Sequence, residues 1–212
     1  TKRPCIVLLT MENLVKESVE RIFSVSTGKG KMIDYQPEDI IKMMRSEGDL
    51  RLTDDNPIDI VIVFKPSNSV DTTFLYTLCE DLEDEGLECI CMIQDYIGRI
   101  RSTERYSDTR LEYGAVVDEF KCFAEDKGIP IISASQLNRD ASIHIDEAKQ
   151  KNKADLVRLL GRSNISESML ILNNVDGAFM IAPETTADGE KYIGIQDIKH
   201  RYQTDGRPFI YL

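Results

Sequence analysis

At 212 residues, 42% of them hydrophobic and 30% charged, the chain is long enough to bury a substantial core, and its length suits one domain. A formal charge of -11 argues against a protein that coats nucleic acid through overall basicity, although basic loops can still contact phosphates. No apolar run approaches the roughly 20 residues that span a bilayer, and the opening TKRPCIVLL has no signal-peptide cleavage region, so a cytoplasmic location without membrane attachment is expected.

Residues 4–10 (PCIVLLT) form a continuous apolar run, and residues 13–23 follow with Leu14, Val15, Val19, Ile22 and Phe23 at helical spacing. This pattern predicts a buried strand feeding a helix. The β-branched run 59–64 (DIVIVF) is a second strand, followed by a helix over 70–82 with Phe74, Leu75, Leu78 and Leu82 on one face. Residues 87–93 are a third apolar run, 111–126 are amphipathic, and 129–134 form a fourth strand after the stop at Gly128. Strand candidates at 176–181, 192–200 and 208–212 complete the chain, while 24–31, 98–110 and 138–164 read as polar loops. Strands alternating with helices imply an α/β fold, a mostly parallel sheet flanked by helices, with the last strands as an antiparallel extension. No repeat, low-complexity tract or linker divides the chain, so a single domain over 1–212 is expected. The five cysteines form no CxxC pair and read as reduced core thiols. His144 and His200 are the only histidines and lack a metal-ligand pattern, which leaves no basis for a structural zinc.

In such sheets ligands sit beyond the carboxyl ends of the strands, which singles out Glu12 after the first strand, Asp95 after the third and Gln136 after the fourth. An aspartate closing the apolar run ECICMIQDY has the form of a Walker B element, in which the strand fixes the backbone and the carboxylate reaches Mg2+; aspartates in this position also cap helices and form turns. Glu12 stands where a carboxylate can polarise water for attack on a γ-phosphate, or where the dipole of the next helix favours an acid. Gln136 offers a donor and an acceptor, suited to sensing a terminal phosphate. Lys199 and Arg201 lie two apart in a strand pattern, so they share a face that suits an anion or that guards a sheet edge. The stretch STGKGKM (26–32) is not a phosphate-binding loop: the pattern GxxxxGK(S/T) needs glycine five before Gly30 and Ser or Thr after Lys31, where Val25 and Met32 stand.

These elements, in this order, resemble DnaB-type replicative helicases with a RecA-like motor core. IPIISASQLNR (129–139) is similar to the family's SQLNR motif, LLTMEN (8–13) to its S-L/M-E-M strand end, and MIQDYIG (92–98) to its Walker B. NISESMLILNNVDGAFMI (164–181) resembles the DNA-contacting segment, which enters a strand through an acidic residue, here Asp176. KHRYQTDG (199–206) resembles the K-x-R turn. The run before Walker B looks most like the helicases of large tailed bacteriophages. Two departures are Ser166, where family members often carry arginine, and Met169, where they carry glycine. The family's phosphate-binding strand and helix would precede the strand that opens this chain, so the expectation is a motor domain cut before its catalytic-glutamate strand and inactive on its own.

The resemblance implies ATP hydrolysis with Mg2+ at the interfaces of a homo-hexameric ring that pulls single-stranded DNA through its channel, with a primase or helicase loader as a further partner. Glu12 would orient the attacking water, Asp95 would hold Mg2+ and nucleotide together with Arg139, and Gln136 would report the γ-phosphate. Lys199 and Arg201 would reach the neighbouring subunit's nucleotide. Arg99, Arg101 and Arg105 in one loop, and Arg162, Asn164 and Ser166 in another, would contact DNA phosphates. A RecA-type recombinase and a catalytically inactive RecA-like binding module are the competing readings.

Overall fold

The continuous apolar run of RPCIVLLT makes Arg3–Thr10 a strand, β1, along which burial alternates, with Cys5, Val7 and Leu9 wholly buried. In this computed structural model the described residues are 2–36, 38–40, 58–150, 156–165, 168–185, 190–201 and 209–211. They divide into two compact units, Thr1–Thr103 with Cys122–Ala134, and Glu104–Lys121 with Ser135–Leu212.

In the first unit β1 is flanked on one side by β2 (Asp59–Phe64) and on the other by β3 (Leu87–Asp95). β4 (Ile131–Ser133) continues the sheet beyond β3, all pairings are parallel, and the order is β2-β1-β3-β4. The parallel crossovers are helical, as such pairing requires. α1 (Val15–Thr27) follows β1 and stops at Gly28, whose φ of 64° is the left-handed conformation that ends many helices. α2 (Thr73–Asp84) buries Leu75, Leu78, Cys79 and Leu82 and lies against β3. α3 (Thr109–Lys127) closes at Gly128, the stop expected from the sequence.

The second unit is built on an antiparallel sheet of order β5-β6-β7, from Gly177–Thr185, Lys191–His200 and Phe209–Tyr211. Its core joins Val157, Leu160, Leu172, Met180, Ala182 and Ile198 to Ala141 and Ala148. Those two alanines belong to a helix, α4 (Arg139–Gln150), where the sequence reading placed a loop. The side chain of Asn138 accepts the Ala141 N–H at 3.0 Å and caps its start, while Ala141, Ile145 and Ala148 provide an apolar face too small to stand out in the pattern. A further helix, α5 (Ser168–Asn174), precedes β5, and β5 runs to Thr185 rather than stopping at 181, with Pro183 opposite Ile193. The mostly parallel sheet with helices and the antiparallel end agree with the α/β expectation.

The cysteines are free: Cys5 and Cys79 are buried as expected, whereas Cys122 is exposed. Burial, more than the nearby Asp59 carboxylate, pushes the Cys5 thiol up from its ordinary value, which keeps it protonated. No helix among the described residues is long and apolar enough to cross a membrane.

Candidate nucleotide site

The turn after β1 is fastened before Glu12 leaves it. Thr10 is buried, and its hydroxyl accepts the Asn13 N–H and donates to the Asn13 carbonyl, each at 3.1 Å. The Met11 N–H donates to the Asp95 carbonyl at 3.0 Å, so the ends of β1 and β3 are joined at the backbone. Asn13 adds a side-chain link, its Nδ2 donating to Asp95 Oδ2 at 3.2 Å. This holds the Asp95 carboxylate by one oxygen and leaves it at the open end of the sheet, half-buried, with Glu12 exposed beside it.

Beneath Asp95, Gln94 is fully buried. Its Nε2 donates to the Tyr96 carbonyl at 2.8 Å, and its Oε1 accepts the Ser133 hydroxyl at 2.8 Å, which ties the ends of β3 and β4 together. The sequence reading singled out neither Gln94 nor Asn13. A lone amide inside the apolar run of β3 was the available signal for the first.

The loop after β3 turns back on the site. The Arg99 N–H donates to the Tyr96 carbonyl at 2.9 Å, the Asn68 N–H to the Arg99 carbonyl at 2.7 Å, and the Arg101 N–H to the Val70 carbonyl at 3.2 Å. From this fixed backbone the Arg99 guanidinium reaches Glu12. Its Nε and Nη2 donate to the same oxygen, Glu12 Oε1, at 3.0 and 2.6 Å. The guanidinium also stands 5.1 Å from the Tyr96 ring centroid. Both partners of the ion pair are 37% exposed. The Arg101 side chain is exposed.

In the second unit, Asn138 of the SQLNR stretch staples a turn as well as capping α4. Its Nδ2 donates to the Ser163 carbonyl at 2.7 Å, its N–H donates to the Asn164 carbonyl at 2.9 Å, and Leu137 pairs with Ile165. Asn164 is buried, its Oδ1 accepting the Gly161 N–H at 2.8 Å, and Arg162 donates twice to the Ile198 carbonyl at 3.2 and 3.0 Å. Gln136, Arg139 and Arg105 are exposed, and Ser166 lies outside the described residues.

The cations of the K-x-R stretch converge on the end of α5. Lys199 Nζ donates to the Leu172 carbonyl and, at 3.0 Å, to the Asn173 carbonyl, as a cation at a helix C-terminus does. Desolvation and the neighbouring Arg201 charge lower its pKa from the ordinary lysine value. β6 ends at His200, the end that the sequence pattern gave, so Arg201 lies just past the strand. The Arg201 N–H donates to the Asp176 carbonyl at 2.9 Å and its Nη1 pairs with Asp176 Oδ1 at 2.7 Å. Lys121 binds the same oxygen at 2.8 Å. The hydrogen bond from Lys121, reinforced by the charges of Lys121 and Arg201, holds the Asp176 carboxyl below the usual carboxylate value.

The structure therefore brings Glu12, Asp95 and Arg99 together in the first unit, and Lys199 with Arg201 around the α5 terminus in the second. Among the described residues no group of three or more His, Cys, Asp or Glu side chains could hold a metal ion. Asp95 nonetheless suits Mg2+, which commonly takes one or two protein carboxylates and completes its shell with water and phosphate oxygens.

Residues 1–208 match the family model of divergent DnaB-like ATPases. No curated protein matches the chain in sequence. Among solved structures, a DnaB-like replicative helicase, described with its interactions with primase, is similar with a TM-score of 0.70 at 15% identity over 98% of this chain. A second similar structure is an ATPase domain, with a TM-score of 0.70 at 14% identity over 98% of this chain and 70% of that one. The chain spans about half, 48%, of the first of these.

Proposed function

This chain belongs to the divergent DnaB-like ATPase family, and on that premise we propose that it is the motor domain of an ATP-dependent replicative DNA helicase, working as a ring on single-stranded DNA. The observation that carries this reading is the pair of acidic residues on adjoining strand ends, Glu12 and Asp95, with Asn13 bonded to Asp95 between them. Phosphoryl transfer depends on positioning and charge compensation more than on covalent chemistry, and two carboxylates fixed by the sheet meet that need. Glu12 orients the attacking water and accepts its proton. Asp95 holds Mg2+, which supplies charge neutralisation at the phosphates when bound. By the family resemblance, Gln136 is the proposed sensor of the γ-phosphate and Arg139 a proposed nucleotide contact, while Lys199 and Arg201 would serve the neighbouring subunit. Arg99, Arg101, Arg105, Arg162, Asn164 and Ser166 remain the proposed DNA contacts. A primase partner is proposed by analogy with the related helicase.

The test is ATP turnover and nucleotide binding by the full-length protein. Glu12→Gln should bind ATP at near wild-type affinity and lose at least about a hundredfold in turnover, the usual contribution of a positioned general base. Asp95→Asn should weaken binding only when Mg2+ is present. Wild-type turnover by Glu12→Gln would remove the assignment of the base, and absence of ATP hydrolysis by the wild-type protein would remove the motor reading.

A further inference from the structure

We propose that Arg99 is a latch on Glu12 that single-stranded DNA opens, so that the strand's own phosphates release the catalytic carboxylate. The inference rests on the function proposed above and deepens it, by assigning the coupling between DNA and hydrolysis to one side-chain exchange.

Arg99 places two donors on a single oxygen of Glu12, at 3.0 and 2.6 Å. A carboxylate engaged in this way is turned toward the guanidinium, and Oε1, with its lone pairs occupied, is closed to water. The loop carrying Arg99 does not depend on the pair. Its backbone is held by the Tyr96 carbonyl and the Asn68 N–H, and two residues on by Val70. The side chain can therefore change partner while the loop stays in place.

Exposure decides whether the exchange is feasible. With both partners 37% exposed, the pair is screened by solvent and weak, unlike a buried one whose opening would strand a charge. A phosphodiester offers the guanidinium two non-bridging oxygens on one phosphorus, an acceptor it can bind bidentately, as it does a carboxylate. The exposed Arg101, anchored beside it, adds a second phosphate contact from the same loop. DNA on this loop competes with Glu12 for Arg99, and the freed carboxylate turns to water.

Linkage makes the idea measurable without hydrolysis. If Glu12 competes with DNA for Arg99, removing the Glu12 charge must raise DNA affinity by the same factor that DNA binding weakens the latch. The experiment measures binding of a fluorescent oligo-dT to the full-length protein, without nucleotide, for wild type, Glu12→Gln, Arg99→Ala and the double variant. ATP turnover of wild type and Arg99→Ala is measured with and without the same oligonucleotide.

Glu12→Gln should tighten DNA binding about two- to fivefold, the range of an exposed ion pair. That gain should disappear in the Arg99→Ala background, because a general charge effect of Glu12 would persist there while a latch cannot. Arg99→Ala should also raise DNA-free turnover by a similar factor and reduce the stimulation by DNA at saturation. An additive double variant, or unchanged DNA-free turnover in Arg99→Ala, overturns the latch while leaving the motor in place. A wild-type protein that binds no oligo-dT or hydrolyses no ATP overturns the motor reading and the latch with it.

Discussion

Gly194 shows how little room the second unit allows around a single atom. A Cβ at this position would stand 2.9 Å from Val157 Cγ1 and 3.1 Å from Glu184 Oε1, inside ordinary contact distance of both. Neither neighbour can retreat, because Val157 is fully buried and Glu184, 2% exposed, accepts the Val157 N–H at 2.9 Å. Gly194→Ala should therefore lower unfolding stability by about 1–3 kcal/mol, the usual cost of overpacking, read from the midpoint of urea denaturation. A midpoint equal to the wild type would show that the sheet gives way at this point. Legibility at this scale was uneven. Glu12 and Asp95 were readable because each ends an apolar run, and the sheet rule needs no partner to be known. Gln94 and Asn13 were not, since their value lies in bonds to Tyr96, Ser133 and Asp95 that exist only once β1, β3 and β4 lie side by side. Arg99 and Glu12, 87 residues apart, were each noticed for a separate reason, and nothing local could pair them.

At the scale of elements, long apolar runs declared themselves and short polar helices did not. β1, β2 and β3 were legible because β-branched and apolar residues fill them on both faces, as a covered parallel sheet requires. α4 was missed because RDASIHIDEAKQ is polar, its buried positions include two alanines, and its cap Asn138 was read as part of a motif. The junction of α5 and β5 carries a pH dependence. Asp176 is paired with Lys121 and Arg201, and its carboxyl is held below the ordinary value. A group depressed in the folded state contributes stability above its unfolded pKa, and that contribution fades as pH falls through the folded value. Thermal unfolding of wild type against Asp176→Asn should thus differ most at neutral pH, and the two curves should converge as pH falls below the ordinary aspartate range. A constant difference across that range would mean that the carboxylate charge contributes nothing to this junction. Because the pair is largely solvent-exposed, the neutral-pH difference should be small.

For the whole molecule, the question is whether one subunit contains its own complete site. If Arg201 serves the neighbouring subunit's nucleotide, Arg201→Ala should abolish turnover while leaving nucleotide affinity within a small factor, since such a cation acts on transition-state charge. Mixed assemblies of the full-length protein test the geometry. An Arg201→Ala subunit keeps its own Glu12 and can receive a cation from a Glu12→Gln neighbour, so two inactive proteins should together recover ATPase activity. No recovery, with subunit exchange shown by fluorescence transfer, would place Arg201 in its own subunit's site or make the ring depend on every site at once. The order of the strands, and of the helices between β1 and β4, was legible from the sequence because it follows from alternation. The division into two compact units was not, because no change of composition marks it and α3 supplies residues to both.

Asp176 has two cations on one oxygen, Arg201 at 2.7 Å and Lys121 at 2.8 Å. In a half-exposed carboxylate water screens each partner, so neither cation alone decides whether the charge is compensated. If Arg201 were drawn to another anion, Lys121 would still bind the oxygen it leaves. Arg201 is held by a host that has a second cation, so its side chain is not needed to neutralise Asp176.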